Sequence, residues 1–262
     1  MKKLIITKIG GNVIDQSDLF DQFIIDFAGI QQNKILVHGG GTIATDIARK
    51  LGIEPQIIDG RRVTDEQMLQ VVVMVYGGLV NKTIVSKLQM LGVNSLGLSG
   101  ADANIIEARK REVKEIDYGF AGDIESVNTG RLIQFLTNGM TPVIAPLTHD
   151  RQGNILNTNA DTIAAEIATA LSPSFHVTLI YCFDKAGLLM TNAESDTVIE
   201  KVSWEKYLQL KSEGIVSKGM IPKMDTAFTA LRGGVKKINI CHASSLPAVV
   251  KGNLKVGTEL SL

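Results

Sequence analysis

A chain of 262 residues, 45% of them hydrophobic, is long enough to bury one large core or two modest ones. Its 27 basic and 27 acidic side chains cancel and are interspersed, which argues against a nucleic-acid or membrane-surface partner and leaves small ligands open. Cys182 and Cys241 lie in the apolar runs "TLIYCF" and "INICHA", which suit buried free thiols in a reducing cytoplasm better than a disulfide or a zinc site.

The first predicted element is the strand in "MKKLIITKIGG", which ends at Lys8 and the turn Gly10–Gly11. Its apolar run is too short for a signal peptide, and no later stretch is read as approaching membrane-spanning length. An ammonium in an otherwise apolar strand either meets an anion or snorkels to solvent. Next, "KILVHGGGTIATDIARKLG" runs a strand through Gly39, Gly40 and Gly41 into a helix. Glycines allow close backbone approach, and the helix N-terminus offers free N–H groups, so an anion is the expected guest. The spacing Gly39, Gly41, Ala44, with Asp59 closing "QIID", also fits a dinucleotide fingerprint, so an NAD-binding Rossmann oxidoreductase is a rival reading. No Gly-Lys-Ser/Thr follows the glycines, which excludes a Walker A loop.

Residues 65–92 read as a helix that is apolar on more than one face around Val71–Val75. β-branched residues favour helix weakly, so packing must hold it, either inside the chain or against a second copy. The strands "SLGLS", "TPVIAP", "VTLIYCF" and "KINIC" alternate with helices, and "ANIIEARKREVKEIDYGFAGDIESVN" reads as a hairpin excursion. The alternation predicts an α/β fold, a three-layer αβα sandwich with a mostly parallel central sheet. A soft boundary at "ALSPS" divides it into lobes 1–172 and 173–262. "NTNAD", residues 157–161, reads as the cap of a helix, while Lys223 opens another where its charge opposes the helix dipole unless an anion is bound.

Lys8 with Gly10 and Gly11, "HGGG" at 38–41, "GRRVTDEQ" at 60–67, "GGLVNK" at 77–82, "NTNAD" and "GMIPKMDTA" at 219–227 stand in the order and spacing of one known group. Over essentially the whole chain, the sequence resembles the N-acetylglutamate kinases of the amino acid kinase family. The resemblance implies that Lys8 and Lys223 grip the phosphoryl group in transfer and that Asp161 holds both lysines. It implies that Gly40 and Gly41 meet the γ-carboxylate side of the acyl amino acid, Arg62 its α-carboxylate and Asn157 its polar backbone. Gly10, Gly11 and Asp184, with the two lysines, would bind ATP, whose phosphates carry Mg²⁺ without a metal site in the protein. The amino-terminal lobe would then take acyl-glutamate and form a homodimer, and the carboxyl-terminal lobe ATP. Arginine-inhibited hexameric members carry an extra amino-terminal helix, so no hexamer and no arginine inhibition are expected.

The chain departs from the family pattern at two places. Arg61 stands where a hydrophobic residue is usual, and Leu147, Thr148 and His149 follow the "PVIAP" strand where Ile-Gly is frequent. N-acetyl-L-glutamate is the default substrate, and a longer acyl group ending in a carboxylate, such as succinyl, is the alternative that Arg61 raises, although neighbours on an extended strand point to opposite faces, which would turn Arg61 to solvent.

Overall fold

The computed structural model describes residues 1–58, 60–192, 195–216, 219–252 and 256–262. Its middle layer is an eight-stranded sheet of Lys2–Ile9 (β1), Asn33–His38 (β2), Ser95–Leu98 (β3), Thr141–Ile144 (β4), Phe175–Phe183 (β5), Lys201–Ser203 (β6), Lys237–His242 (β7) and Thr258–Ser261 (β8). The spatial order is β6-β8-β7-β5-β1-β2-β4-β3, and every neighbouring pair is parallel except β7 with β8. Strands of such a sheet are covered on both faces, which explains why their sequences run continuously apolar.

The helices are Gly11–Ile14 (α1), Ser17–Ala28 (α2), Gly41–Lys50 (α3), Glu66–Met90 (α4), Thr129–Thr137 (α5), Ala160–Leu171 (α6), Trp204–Ser212 (α7), Ile221–Arg232 (α8) and Leu246–Val250 (α9). Successive strand residues point to opposite faces. Leu4, Ile6, Ile35, Val37 and Leu179 therefore pack on α5–α8, whereas Ile5, Ile9, Leu36 and Ile180 pack on α2, α3, α4 and α9. The three-layer sandwich expected from the sequence is thus built from two cores, one on each side of the sheet.

β1 pairs with β5 along its whole length, from Lys2 opposite Phe175 to Ile9 opposite Cys182. The central sheet therefore runs unbroken past residue 172. The predicted excursion is an antiparallel hairpin, Ile106–Lys110 with Gly122–Val127, which joins Leu147–His149 and Ile155–Asn157 in a four-stranded sheet. "QIID" supplies only Ile57–Ile58, paired with Arg61–Arg62 outside the main sheet, and Asp59 lies outside the described residues. The Rossmann reading needed a full sheet strand at this point.

α4 corrects one sequence expectation, because its 25 continuous residues are long and apolar enough, by length and composition, to cross a membrane. Here its buried residues Val71, Val72, Val75 and Ile84 pack into the core. Its middle, Val73–Val80, is π-helical, and Val73, Met74 and Leu79 remain 37%, 55% and 52% exposed.

Lys34 shows how β2 is tied to α2. Its buried ammonium donates to the carbonyls of Phe27, Ala28 and Ile30 at 3.1, 2.7 and 2.8 Å, closing the C-terminus of α2. Lys34→Met leaves those carbonyls without their donor, with an expected cost of about 1–3 kcal/mol in urea unfolding. An unchanged midpoint would show that the cap adds nothing to stability.

Candidate active site

The carboxyl ends of β1 and β2 bring two glycine turns together at the sheet edge where ligands of parallel α/β sheets gather. A Cβ on Gly39 would lie 3.3 Å from the Gly11 nitrogen, so the two turns are in contact. Lys8, almost fully buried, places its Nζ 2.7 Å from Asp161 Oδ1, an oxygen with no other partner. Lys223, in the first turn of α8, donates to Asp161 Oδ2. Asn159 caps α6, accepting from the N–H groups of Asp161 and Thr162 at 2.9 and 3.1 Å. The capping role and the chemical role of "NTNAD" thus belong to different residues.

Electrostatics follow from this geometry. Burial pushes the Asp161 carboxyl up, but the two adjacent ammoniums outweigh it and hold the group well below the usual carboxylate range. Burial lowers the Lys8 pKa, Asp161 opposes that change and the Lys223 charge adds to it. The centre is one carboxylate between two mutually repelling cations.

Two cavities meet at this centre. The smaller, of about 240 Å³, is lined by Gly39–Gly41, Arg61, Arg62, Tyr76, Asn157 and Asp161. The larger, of about 550 Å³, is lined by the polar Asn12 and Asp184 and by the apolar Leu188, Leu189, Ile215 and Met220. Lys8, Gly10, Gly11 and Lys223 line both.

In the smaller cavity, Arg62 Nη2 donates to the Gly41 carbonyl and to Thr45 Oγ1, both at 2.8 Å, so the guanidinium is anchored before any ligand arrives. Asn157 Nδ2 donates to Thr64 Oγ1 at 2.9 Å, joining the "RVT" and "NTNAD" segments. Arg61 does not simply reach solvent. It lines the same cavity, half-buried, where burial and the neighbouring Arg111 lower its pKa. Thr148 and His149 are not part of the lining. Thr148, buried, shares a hydrogen bond with Thr158 at 2.8 Å, and His149 shares one with Asn104 at 2.7 Å. Asp184 accepts from Asn12 Nδ2 at 3.2 Å in the lining of the larger cavity.

Sequence reasoning missed the support of the glycine loop. His38 Nδ1 donates to the Gly39 carbonyl at 2.7 Å, while Asn81 Nδ2 donates to His38 Nε2 at 3.1 Å and to the Val143 carbonyl at 3.0 Å. Gly40 has φ +147°, a conformation suited to glycine, and a Cβ there would lie 3.1 Å from the Tyr76 ring. His38 and Asn81 are quoted within "HGGG" and "GGLVNK", but their pairing spans 43 positions and carries no local signal.

Residues 3–242 match the amino acid kinase family. The chain belongs to the amino acid kinase family. It is 52% identical over 261 residues to the acetylglutamate kinase of Cytophaga hutchinsonii, covering 99% of both chains. It is 51% identical to that of Bacteroides thetaiotaomicron, covering 94% of this chain and 95% of the other. Among solved structures, the N-acetylglutamate synthase of Neisseria gonorrhoeae superposes with a TM-score of 0.83 at 22% identity, over 99% of this chain and 59% of that longer one. The carbamate kinase of Giardia lamblia gives 0.68 at 14% identity, over 99% and 98%. These two share the fold. As an amino acid kinase, this protein is a phosphotransferase with ATP as its donor, which replaces the oxidoreductase reading.

The support of the loop has a measurable consequence in this amino acid kinase. Burial lowers the His38 pKa from 6.5 to about 4, so the unfolded chain binds more protons than the folded one between those values. The stability that neutral His38 provides is complete above pH 6.5 and is lost as the pH falls toward 4. Urea midpoints are expected to fall over that range, and less steeply in His38→Gln. An equal slope in the variant would remove His38 from the cause.

Proposed function

We propose that this kinase transfers the γ-phosphoryl group of ATP to the γ-carboxylate of N-acetyl-L-glutamate, giving N-acetyl-L-glutamyl 5-phosphate and ADP in arginine biosynthesis. The observation that carries this reading is the wall of Lys8, Gly10, Gly11 and Lys223 shared by the two cavities. One cavity presents Arg62, Asn157 and glycine N–H groups to a small carboxylic acid. The other offers apolar side chains to a base and its lysines, glycine turn and polar side chains to phosphates.

A γ-carboxylate is ionised at neutral pH, so no base has to take a proton from it. One of its oxygens attacks the γ-phosphorus, the bond from phosphorus to the bridging oxygen breaks, and that electron pair leaves with ADP. Charge spreads over the phosphoryl oxygens in transfer, and two ammoniums with backbone N–H groups stabilise it. Asp161, occupied by both lysines, sets where their charges sit. Gly40 and Gly41 approach the acceptor carboxylate, Arg62 takes the α-carboxylate, and Asn157 the acyl-amide end. Gly10, Gly11 and Asp184 face the nucleotide phosphates.

Mg²⁺ enters as part of the nucleotide substrate. Among the described residues no group of three or more His, Cys, Asp or Glu side chains is placed to hold a metal, and Asp161 is taken by lysines. That donor set suits a cation that keeps its water and its phosphate ligands. Residues 1–172 are assigned to acyl-glutamate and 173–262 to ATP, with Lys8, Gly10 and Gly11 of the first lobe reaching the nucleotide phosphates. The exposed Val73, Met74 and Leu79 on α4 support a homodimer through that helix. The two unpaired buried thiols, 3.9 Å apart, and the need for ATP support a cytoplasmic location.

A second reading concerns the acyl group. Arg61 beside Arg62 gives the acceptor cavity an additional cation, which fits an acyl chain ending in its own carboxylate, as in N-succinyl-L-glutamate.

A coupled ADP-release assay is expected to show turnover with N-acetyl-L-glutamate and none with L-glutamate, L-aspartate or carbamate. Lys8→Ala and Lys223→Ala are each expected to lower kcat by about a hundredfold or more, and Asp161→Asn comparably. Near wild-type turnover in either lysine variant would rule out the two-cation mechanism. Measuring kcat/KM for the acetyl and succinyl substrates side by side, with Arg61→Leu, decides the acyl group. Succinyl preference that Arg61→Leu abolishes would establish the second reading. Sedimentation at micromolar concentration is expected to give a dimer, and a monomer would leave the exposed face of α4 unexplained.

A further inference from the structure

The mechanism accounts for the two ammoniums and the carboxylate between them, but not for the aromatic ring beside both ammoniums. Phe183, half-buried at the carboxyl end of β5, lies with its ring centroid 5.3 Å from Lys8 Nζ and 5.0 Å from Lys223 Nζ. One ring therefore serves both cations. Tyr181, two residues earlier on the same face of β5, stacks its ring on it at 6.4 Å with an interplanar angle of 11°. Tyr181 is fully buried and its hydroxyl donates to the Asp161 backbone carbonyl at 3.3 Å. A Cβ on Gly10 would lie 4.0 Å from Phe183 Cδ1 and 3.7 Å from Lys8 Nζ, so the ring also borders the nucleotide turn.

Charge balance gives the ring a task. Two ammoniums share one carboxylate, which leaves an excess positive charge and a repulsion between Lys8 and Lys223 whenever no phosphate is present. The negative face of an aromatic ring attracts cations and does not itself ionise. A second carboxylate would neutralise the site and repel ATP, whereas a ring steadies the lysines and leaves their charge for the phosphoryl group.

We infer that Phe183 is a positioning residue for phosphoryl transfer, its ring bracing the ammonium groups of Lys8 and Lys223 on the side away from the acyl-glutamate cavity. The inference rests on the kinase reading above. It differs from a packing role in what it predicts. A ring that only fills space against the nucleotide affects the KM for ATP and tolerates fluorination. A ring that acts through its face loses effect as fluorine withdraws its electron density, with its volume nearly unchanged.

The test is steady-state kinetics of the full-length protein. Phe183→Leu is expected to lower kcat about tenfold, the scale of losing cation–π contacts to two partly desolvated ammoniums, with the KM for N-acetyl-L-glutamate unchanged. Phe183→Tyr is expected to keep near wild-type kcat. Mono-, di- and trifluorophenylalanine installed at position 183 should lower kcat stepwise, with melting temperatures alike across the series. A kcat that stays flat through the fluorine series, or a change confined to the KM for ATP, would overturn the role assigned to Phe183. A wild-type protein without kinase activity would sink the underlying reading and this inference with it, whereas an active wild type with a flat series sinks this inference alone.

Discussion

The shared carboxylate of Asp161 is the constraint on which the rest of the site depends. Burying an ammonium or a carboxylate alone costs several kcal/mol, and a pair repays this only when geometry is good and the remaining polar atoms are satisfied. Lys8 comes from β1, Asp161 from α6 and Lys223 from α8. Three elements must therefore be fixed within tenths of an ångström before the charges compensate. The unbroken pairing of β1 with β5, and the packing of α6 and α8 on one face of the sheet, provide that rigidity. The same arrangement leaves the two cations near each other and short of negative charge, which is the state in which a phosphoryl group is most strongly attracted.

The other half of the site is made of backbone. Gly39–Gly41 can approach a substrate because they lack side chains, but a bare loop has many conformations to lose. His38 and Asn81 remove that freedom from beneath, one bonding the Gly39 carbonyl and the other holding the imidazole. A neutral imidazole suits this position because it both donates and accepts, and burial keeps it neutral. A loop held this way has little reordering left to do when a ligand binds.

α4 runs between the smaller cavity and the outer surface. Its π-helical middle turns Tyr76 inward against Gly40 while Val73 and Met74 face outward. A π-helical insertion changes which side chains share a face, and such insertions concentrate at functional sites.

Much of this was legible from the chain itself. The alternation of apolar strands with helices, the glycine turns after β1 and β2, the Asn159 cap and the odd placement of Lys8 and Lys223 are local features, set by periodicity, backbone freedom and the cost of burying charge. Motif order then named the family. What the sequence could not reveal depends on strand order. Asp161 and Lys223 are 62 positions apart, His38 and Asn81 are 43 apart, and Phe183 reaches Lys8 only because β5 lies beside β1. Arg61 and Arg62, neighbours on a strand and expected on opposite faces, both line one cavity because that strand is only two residues long and lies outside the main sheet. Residue types and local geometry decided which groups could do chemistry, and the tertiary fold decided which of them meet, because contacts between distant segments follow from how strands and helices pack.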